Sequence, residues 1–172
     1  MCLKNYTSSS VSVLFILLFI TQACNRLNPY SLTTSEKNLV EQYTFSDWEG
    51  NVISVHDFEN KIVVLDFWES WCGPCLSAFP GFQKVLDEYP DDIVIIAATV
   101  GWQEGRKEAV NFIQENDYNF LFVDGSELAK ILGFNGIPYK IILDRNGKVD
   151  SVHIGSSGAD REYKLLTDII LK

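Results

Sequence analysis

Cys72 and Cys75 stand three positions apart, with a glycine and a proline between them, in the run Trp71-Cys72-Gly73-Pro74-Cys75. A thiolate attacks disulfide sulfur, and a second thiol close by can displace the first from the mixed disulfide that results. The spacing suits that exchange, because a side chain three residues further along a helix lies on the same face, one turn in. A sulfur at the first turn of a helix meets unpaired backbone N–H groups and the positive end of the helix dipole, which favours ionisation below the free-cysteine pKa of about 8.5. Cys72 is therefore the expected attacking thiolate and Cys75 the expected resolving thiol. Gly73 permits a tight approach, and Pro74 fits a first helical turn, where its missing N–H would have had no intrahelical partner. A static disulfide or half of a zinc site would use the same two residues. Zinc normally asks for four ligands, and His56 and His153 are single and far apart in the chain.

Those sulfurs need a rigid strand before them and a helix after them. Ile62 to Phe67 (IVVLDF) has the continuous apolar character of a strand buried on both faces, and Pro74 to Glu88 has the apolar spacing of a helix. Pro80 should kink that helix. A short outer strand is expected at Val52 to Val55 after the Glu49-Gly50-Asn51 turn, a second buried strand at Ile93 to Val100, and a helix at Glu104 to Asn116. Phe120 to Val123 reads as extended, Glu127 to Leu132 as a helix stopped by Gly133, and Tyr139 to Leu143 as a strand. Asp144-Arg145-Asn146-Gly147 is a hairpin signal leading to Lys148 to Ile154, before a last helix from about Asp160 to Leu171. This order predicts an α/β fold, a mixed sheet with helices on both faces.

The chain has 172 residues, 47% of them hydrophobic, enough for one well-packed domain. A formal net charge of −9 leaves no basic stripe for phosphate backbones, which argues against nucleic-acid binding. Cys2 and Cys24 flank an apolar run, Val11 to Ile20, that has the plan of a signal peptide over residues 1–23 and is too short to span a bilayer comfortably. Ala23-Cys24 resembles the end of a bacterial lipoprotein signal, in which the cysteine becomes the lipidated first residue; Thr21 stands where an aliphatic residue is usual. Thr21-Gln22-Ala23 also reads as a small-x-small site for ordinary secretion. Residues 24–42, rich in Asn, Ser and Thr in their first half, read as a lipidated tether, and residues 43–172 as the folded domain.

With these residues in place, the chain resembles thioredoxin, and within that superfamily the membrane-anchored TlpA-like and ResA-like branch, from roughly Tyr43 to the C-terminus. The phrase Val64 to Cys75 (VLDFWESWCGPC) carries the resemblance together with Gly136-Ile137-Pro138, similar to the family's cis-proline loop. Trp48, Gly50 and the run Val52 to Lys61 look like an added N-terminal β-hairpin. The resemblance implies a thioredoxin-like fold and a thiol–disulfide oxidoreductase. It implies that Asp66, on its own readable as a strand-end group reaching water, is buried behind the resolving cysteine and helps move its proton. It implies a cis Ile137–Pro138 bond that presents the Ile137 backbone to an extended client, with Trp71, Gly73 and Pro74 completing the contact surface. Trp68 and Trp71 read equally as core or as platform. Some TlpA-like proteins carry a glutamate three residues after the second cysteine; Ala78 stands there, which leaves Asp66 as the expected sole nearby acid.

The function so implied is reduction or exchange of protein disulfides outside the cytoplasm, in the cell envelope and facing the periplasm or exterior. It uses no cofactor or metal, and draws electrons from a membrane-embedded thiol donor. Two alternatives remain: a peroxiredoxin-like thiol peroxidase, which would need a lone reactive cysteine in a Pro and Thr/Ser framework that Phe67 to Trp71 does not supply, and a copper-handling module built on the same thiols.

Overall fold

The computed structural model describes residues 31–103 and 105–172. The expected signal peptide (1–23), Cys24 and the first part of the expected tether lie outside the described residues, as does Glu104. Leu32–Lys172 forms one compact unit; of the preceding unit, Met1–Ser31, only Ser31 falls among the described residues.

Seven strands build one sheet among the described residues: β1 Thr44–Asp47, β2 Val52–Ser54, β3 Ile62–Trp68, β4 Ile93–Thr99, β5 Leu121–Asp124, β6 Tyr139–Leu143 and β7 Val149–Ile154, in the spatial order β2-β1-β5-β4-β3-β6-β7. Strands β3, β4 and β5 run parallel, whereas β6 and β7 continue antiparallel from β3, and β1 and β2 antiparallel from β5. The mixed sheet stands as the sequence pattern predicts, and the N-terminal hairpin as the resemblance implies. The hairpin turn between β1 and β2 is held by the Asp47 carboxylate, which accepts from the backbone N–H groups of Glu49 (2.9 Å) and Asn51 (2.8 Å), an Asx-type device.

Helices α1 Thr34–Glu41, α2 Gly73–Glu88, α3 Arg106–Glu115, α4 Ser126–Leu132 and α5 Ala159–Ile170 complete the described part. β3 alternates between two cores. Ile62, Val64 and Trp68 enter the layer beneath α2 and α5, and Val63, Leu65 and Phe67 the layer that also takes Val40 of α1 and Leu128 of α4. All seven β3 residues are buried, as a strand covered on both faces requires. On the α2 side Trp68, Phe79, Phe112, Phe120 and Phe122 pack in edge-on and tilted ring contacts, the geometry that the ring quadrupole favours.

One expectation changes. The stretch assigned to the tether is helical over Thr34–Glu41, capped by a Thr33 and Glu36 capping box and tied down at its far end. Glu41 accepts from the Val149 backbone N–H (3.0 Å) and from Lys148 Nζ (2.8 Å). Burial pushes its carboxyl up, but those bonds and the Lys148 and Lys37 charges outweigh it and hold the pKa low. The tether composition misled because α1 buries little beyond Val40 and Glu41. Pro80 lies inside α2, which runs as one helix from Gly73 to Glu88.

Helix α2 meets the start of α5 at Gly81, where a Cβ would lie well inside contact distance of the Ala159 carbonyl oxygen, a backbone atom with no room to yield. Gly81→Ala should destabilise the domain by roughly 1–3 kcal/mol, the usual cost of overpacking, as a lower urea midpoint at unchanged slope.

Candidate active site

β3 ends at Trp68, and after four connecting residues the chain is helical from Gly73. The Glu69 carbonyl accepts from the Cys72 backbone N–H at 3.0 Å, closing the connecting turn. Cys72 is the N-cap of α2; its Sγ accepts from the Cys75 N–H at 3.3 Å, and its carbonyl accepts the first helical bond, from Leu76 N–H at 3.0 Å. The sulfur thus occupies the place that a Ser or Asp oxygen takes in an ordinary cap. Cys72 and Cys75 are joined as a disulfide with their Cα atoms 5.2 Å apart. Cys72 is 3% exposed and Cys75 wholly buried, so the pair is reached only at one edge of Cys72.

Asp66 is wholly buried in β3. It faces Lys140 directly in the β3–β6 register, and Lys140 Nζ lies 3.9 Å from its Oδ1. The same ammonium lies 3.3 Å from Glu162 Oε1 of α5 and donates to the Gly155 carbonyl at 3.1 Å. Neither Asp66 oxygen has a hydrogen-bond partner. Burial dominates its titration, the Lys140 charge opposes and Glu162 reinforces, and the pKa is pushed up to about 7. A carboxyl so placed takes up or releases a proton near neutral pH. Lys140 in turn faces His153 across β6–β7. Burial and Lys140 hold the His153 imidazole below its ordinary pKa, against the pull of Glu162 and Asp150. Lys140, His153, Gly155, Arg161 and Glu162 line a surface pocket of about 350 Å³, so the buried charges adjoin a place that water can fill.

Asp66 is therefore not the sole nearby acid. Glu162 shares its lysine, and Glu69, also wholly buried, accepts from Trp71 Nε1 at 2.8 Å and from the Trp102 N–H at 2.7 Å. The pattern held a signal for both missing partners of Asp66: Lys140 interrupts an otherwise apolar strand, and Glu162 sits at four-residue spacing with Leu166 and Ile170 on the buried stripe of α5. Trp68 is core and wholly buried, whereas Trp71 is 45% exposed. The Ile137–Pro138 bond is cis. The Phe67–Tyr139 register puts the start of β6 at the end of β3 from which the cysteine loop leaves. His56 lies beside Gly147 at the β6–β7 turn, away from that end of the sheet. Among the described residues no three His, Cys, Asp or Glu side chains gather as metal ligands would, and no helix is long and apolar enough to cross a membrane.

Residues 37–152 match the model of the AhpC/TSA family. The thiol-disulfide oxidoreductase ResA of Bacillus thuringiensis subsp. konkukian (strain 97-27) is 32% identical over 109 residues, 62% of this chain and 62% of that protein. The sporulation thiol-disulfide oxidoreductase A of Bacillus subtilis (strain 168) is 32% identical over 117 residues, 66% of this chain and 70% of that protein. Among solved structures, the pneumococcal exposed lipoprotein thioredoxin Etrx1 of Streptococcus pneumoniae strain TIGR4 superposes with a TM-score of 0.60 at 26% identity, covering 73% of this chain and 98% of its own.

The raised Asp66 pKa carries a sign for stability. Between about pH 4 and 7 the folded state holds a proton there that the unfolded chain has released, so this group's contribution is full at acid pH and is lost as pH rises through 7. At about 1.36 kcal/mol per pH unit the loss is on the order of 4 kcal/mol. Urea unfolding of the oxidised protein should show Asp66→Asn gaining on the wild type as pH rises from 4 to 8; a difference independent of pH would refute the assignment.

Proposed function

Since the chain belongs to the AhpC/TSA family and is a thiol–disulfide oxidoreductase, we propose that it reduces or exchanges disulfides of protein clients outside the cytoplasm, through Cys72 and Cys75. The observation that carries this reading is the Cys72 Sγ accepting the Cys75 amide at the start of α2. On reduction the same donor and the helix terminus favour a thiolate on Cys72.

The thiolate attacks one client sulfur, the client S–S bond breaks, and the departing client thiolate takes a proton from water. Cys75 then gives its proton to Asp66 and attacks Cys72 Sγ; the Cys72–client bond breaks, the second client thiolate leaves, and the Cys72–Cys75 disulfide forms. The client gains two electrons and the enzyme loses two. Trp71, Gly73 and Pro74 on one side, and Ile137 with cis Pro138 on the other, receive the extended client segment.

The Gly-Pro spacer matches thioredoxin, with a potential of about −270 mV, rather than oxidants near −120 mV, which favours reduction. A membrane-embedded thiol donor would return the electrons. Anchoring through a lipidated Cys24 fits the Ala23-Cys24 pattern, and a similar solved structure is described as an exposed lipoprotein. Two acyl chains there would give the stable anchoring that one does not.

Cys75→Ala should accumulate a client mixed disulfide that reductant dissolves, and Cys72→Ala should form none, read on non-reducing gels. Alkylation of reduced Cys72 should follow an apparent pKa below about 8.5. A redox titration near −120 mV would reverse the direction, and peroxide consumption that persists in Cys75→Ala but not in Cys72→Ala would point to a peroxidase instead.

A further inference from the structure

Two loops of the catalytic edge meet on one buried carboxylate. Glu69 holds the Trp71 indole with one oxygen and the Trp102 backbone N–H with the other, while its carbonyl holds Cys72. Burying a carboxylate costs several kcal/mol unless donors meet it, and here both oxygens are met. Gly101, at φ 68°, makes the left-handed turn that brings the Trp102 N–H onto Glu69.

The Trp71 indole so held, and the Trp102 indole carried on the held backbone, stay partly in water. Trp71 is 45% and Trp102 41% exposed, while Trp68 and the phenylalanines of the α2 layer are buried. The Trp102 ring lies 5.9 Å from Phe134, and Phe134 stacks on Tyr139 at 4.2 Å and 7°. Tyr139 follows cis Pro138. From the exposed Trp102 the ring contacts thus run through the half-buried Phe134 to Tyr139, the buried residue after Pro138.

We propose that Glu69 is a positioning residue for client choice: it fixes Trp71 and Trp102 as an aromatic rim beside Cys72 that favours client cysteines flanked by an aromatic or large aliphatic side chain over those flanked by an acidic one. The inference rests on the reading of this site as one that takes protein disulfides. Rigid indoles offer apolar area at little entropic cost, because their rotamers are already set. The Glu69 carboxylate is taken up by the two tryptophans, and the chain's net charge of −9 disfavours acidic neighbours.

The test uses two disulfide peptides that differ only in Phe or Asp beside the cysteine, reduced by the full domain. The wild type should favour the Phe peptide about fivefold to tenfold in kcat/KM, mainly through KM. Glu69→Ala should bring the ratio toward one and raise acrylamide quenching of tryptophan fluorescence, with Glu69→Gln in between, since an amide oxygen still accepts from one donor. Trp102→Ala keeps the backbone donor for Glu69 and should also cut the ratio. Equal kcat/KM for the two peptides in the wild type overturns the inference, and so does an equal loss on both peptides in Glu69→Ala, the mark of a purely structural role. A wild type that reduces neither peptide overturns the protein-disulfide reading instead.

Discussion

A strand paired on both edges and buried on both faces cannot bend until it ends, and β3 is such a strand. The chain must leave Trp68 and enter a helix within four residues, so the helix start falls where an unpaired amide needs an acceptor. Cysteine fills that need with sulfur. The local requirement that begins α2 and the chemical requirement for a stabilised thiolate are then met by one atom, and the sheet that holds β3 rigid holds the sulfur rigid as well.

Within β3 and its neighbours the core carries more charge than packing alone would select. One lysine stands between two carboxylates, so full ionisation leaves a net negative charge in a dry place, and one acid tends to keep its proton. Apolar side chains of the same volume often make an equal or firmer core than a buried ion pair. The arrangement makes sense as chemistry: it holds the proton affinity of Asp66 close to the ambient value, where a small change in its surroundings can tip it.

The sheet, the α2 start and the cysteine pair were legible in the sequence because each follows from local pattern: a continuous apolar run, a proline in the first turn, a three-residue spacing. Helix α1 was not, since its composition is that of a linker and what holds it is a bond from Glu41 to a hairpin distant in sequence. Glu69 escaped for a similar reason: its neighbour Trp71 was considered, but Trp102 arrives from another loop. Lys140 and Glu162 each break an apolar stripe, a visible anomaly whose meaning depends on knowing that β6 lies against β3 and that α5 covers both. Pairings across elements, rather than the elements themselves, were what the one-dimensional pattern concealed.

Glu162 belongs to α5, which seats against α2 through the close approach at Gly81. A polypeptide is made from its N-terminus, so both cysteines emerge long before the residue that completes the ionic surroundings of Asp66. Until α5 docks, the nascent protein carries both cysteines while Asp66 and Lys140 still lack Glu162 beside them. The charge balance around Asp66 is thereby set only after both cysteines have been made, and a chain that lacks α5 differs in its ionic core from one that includes it.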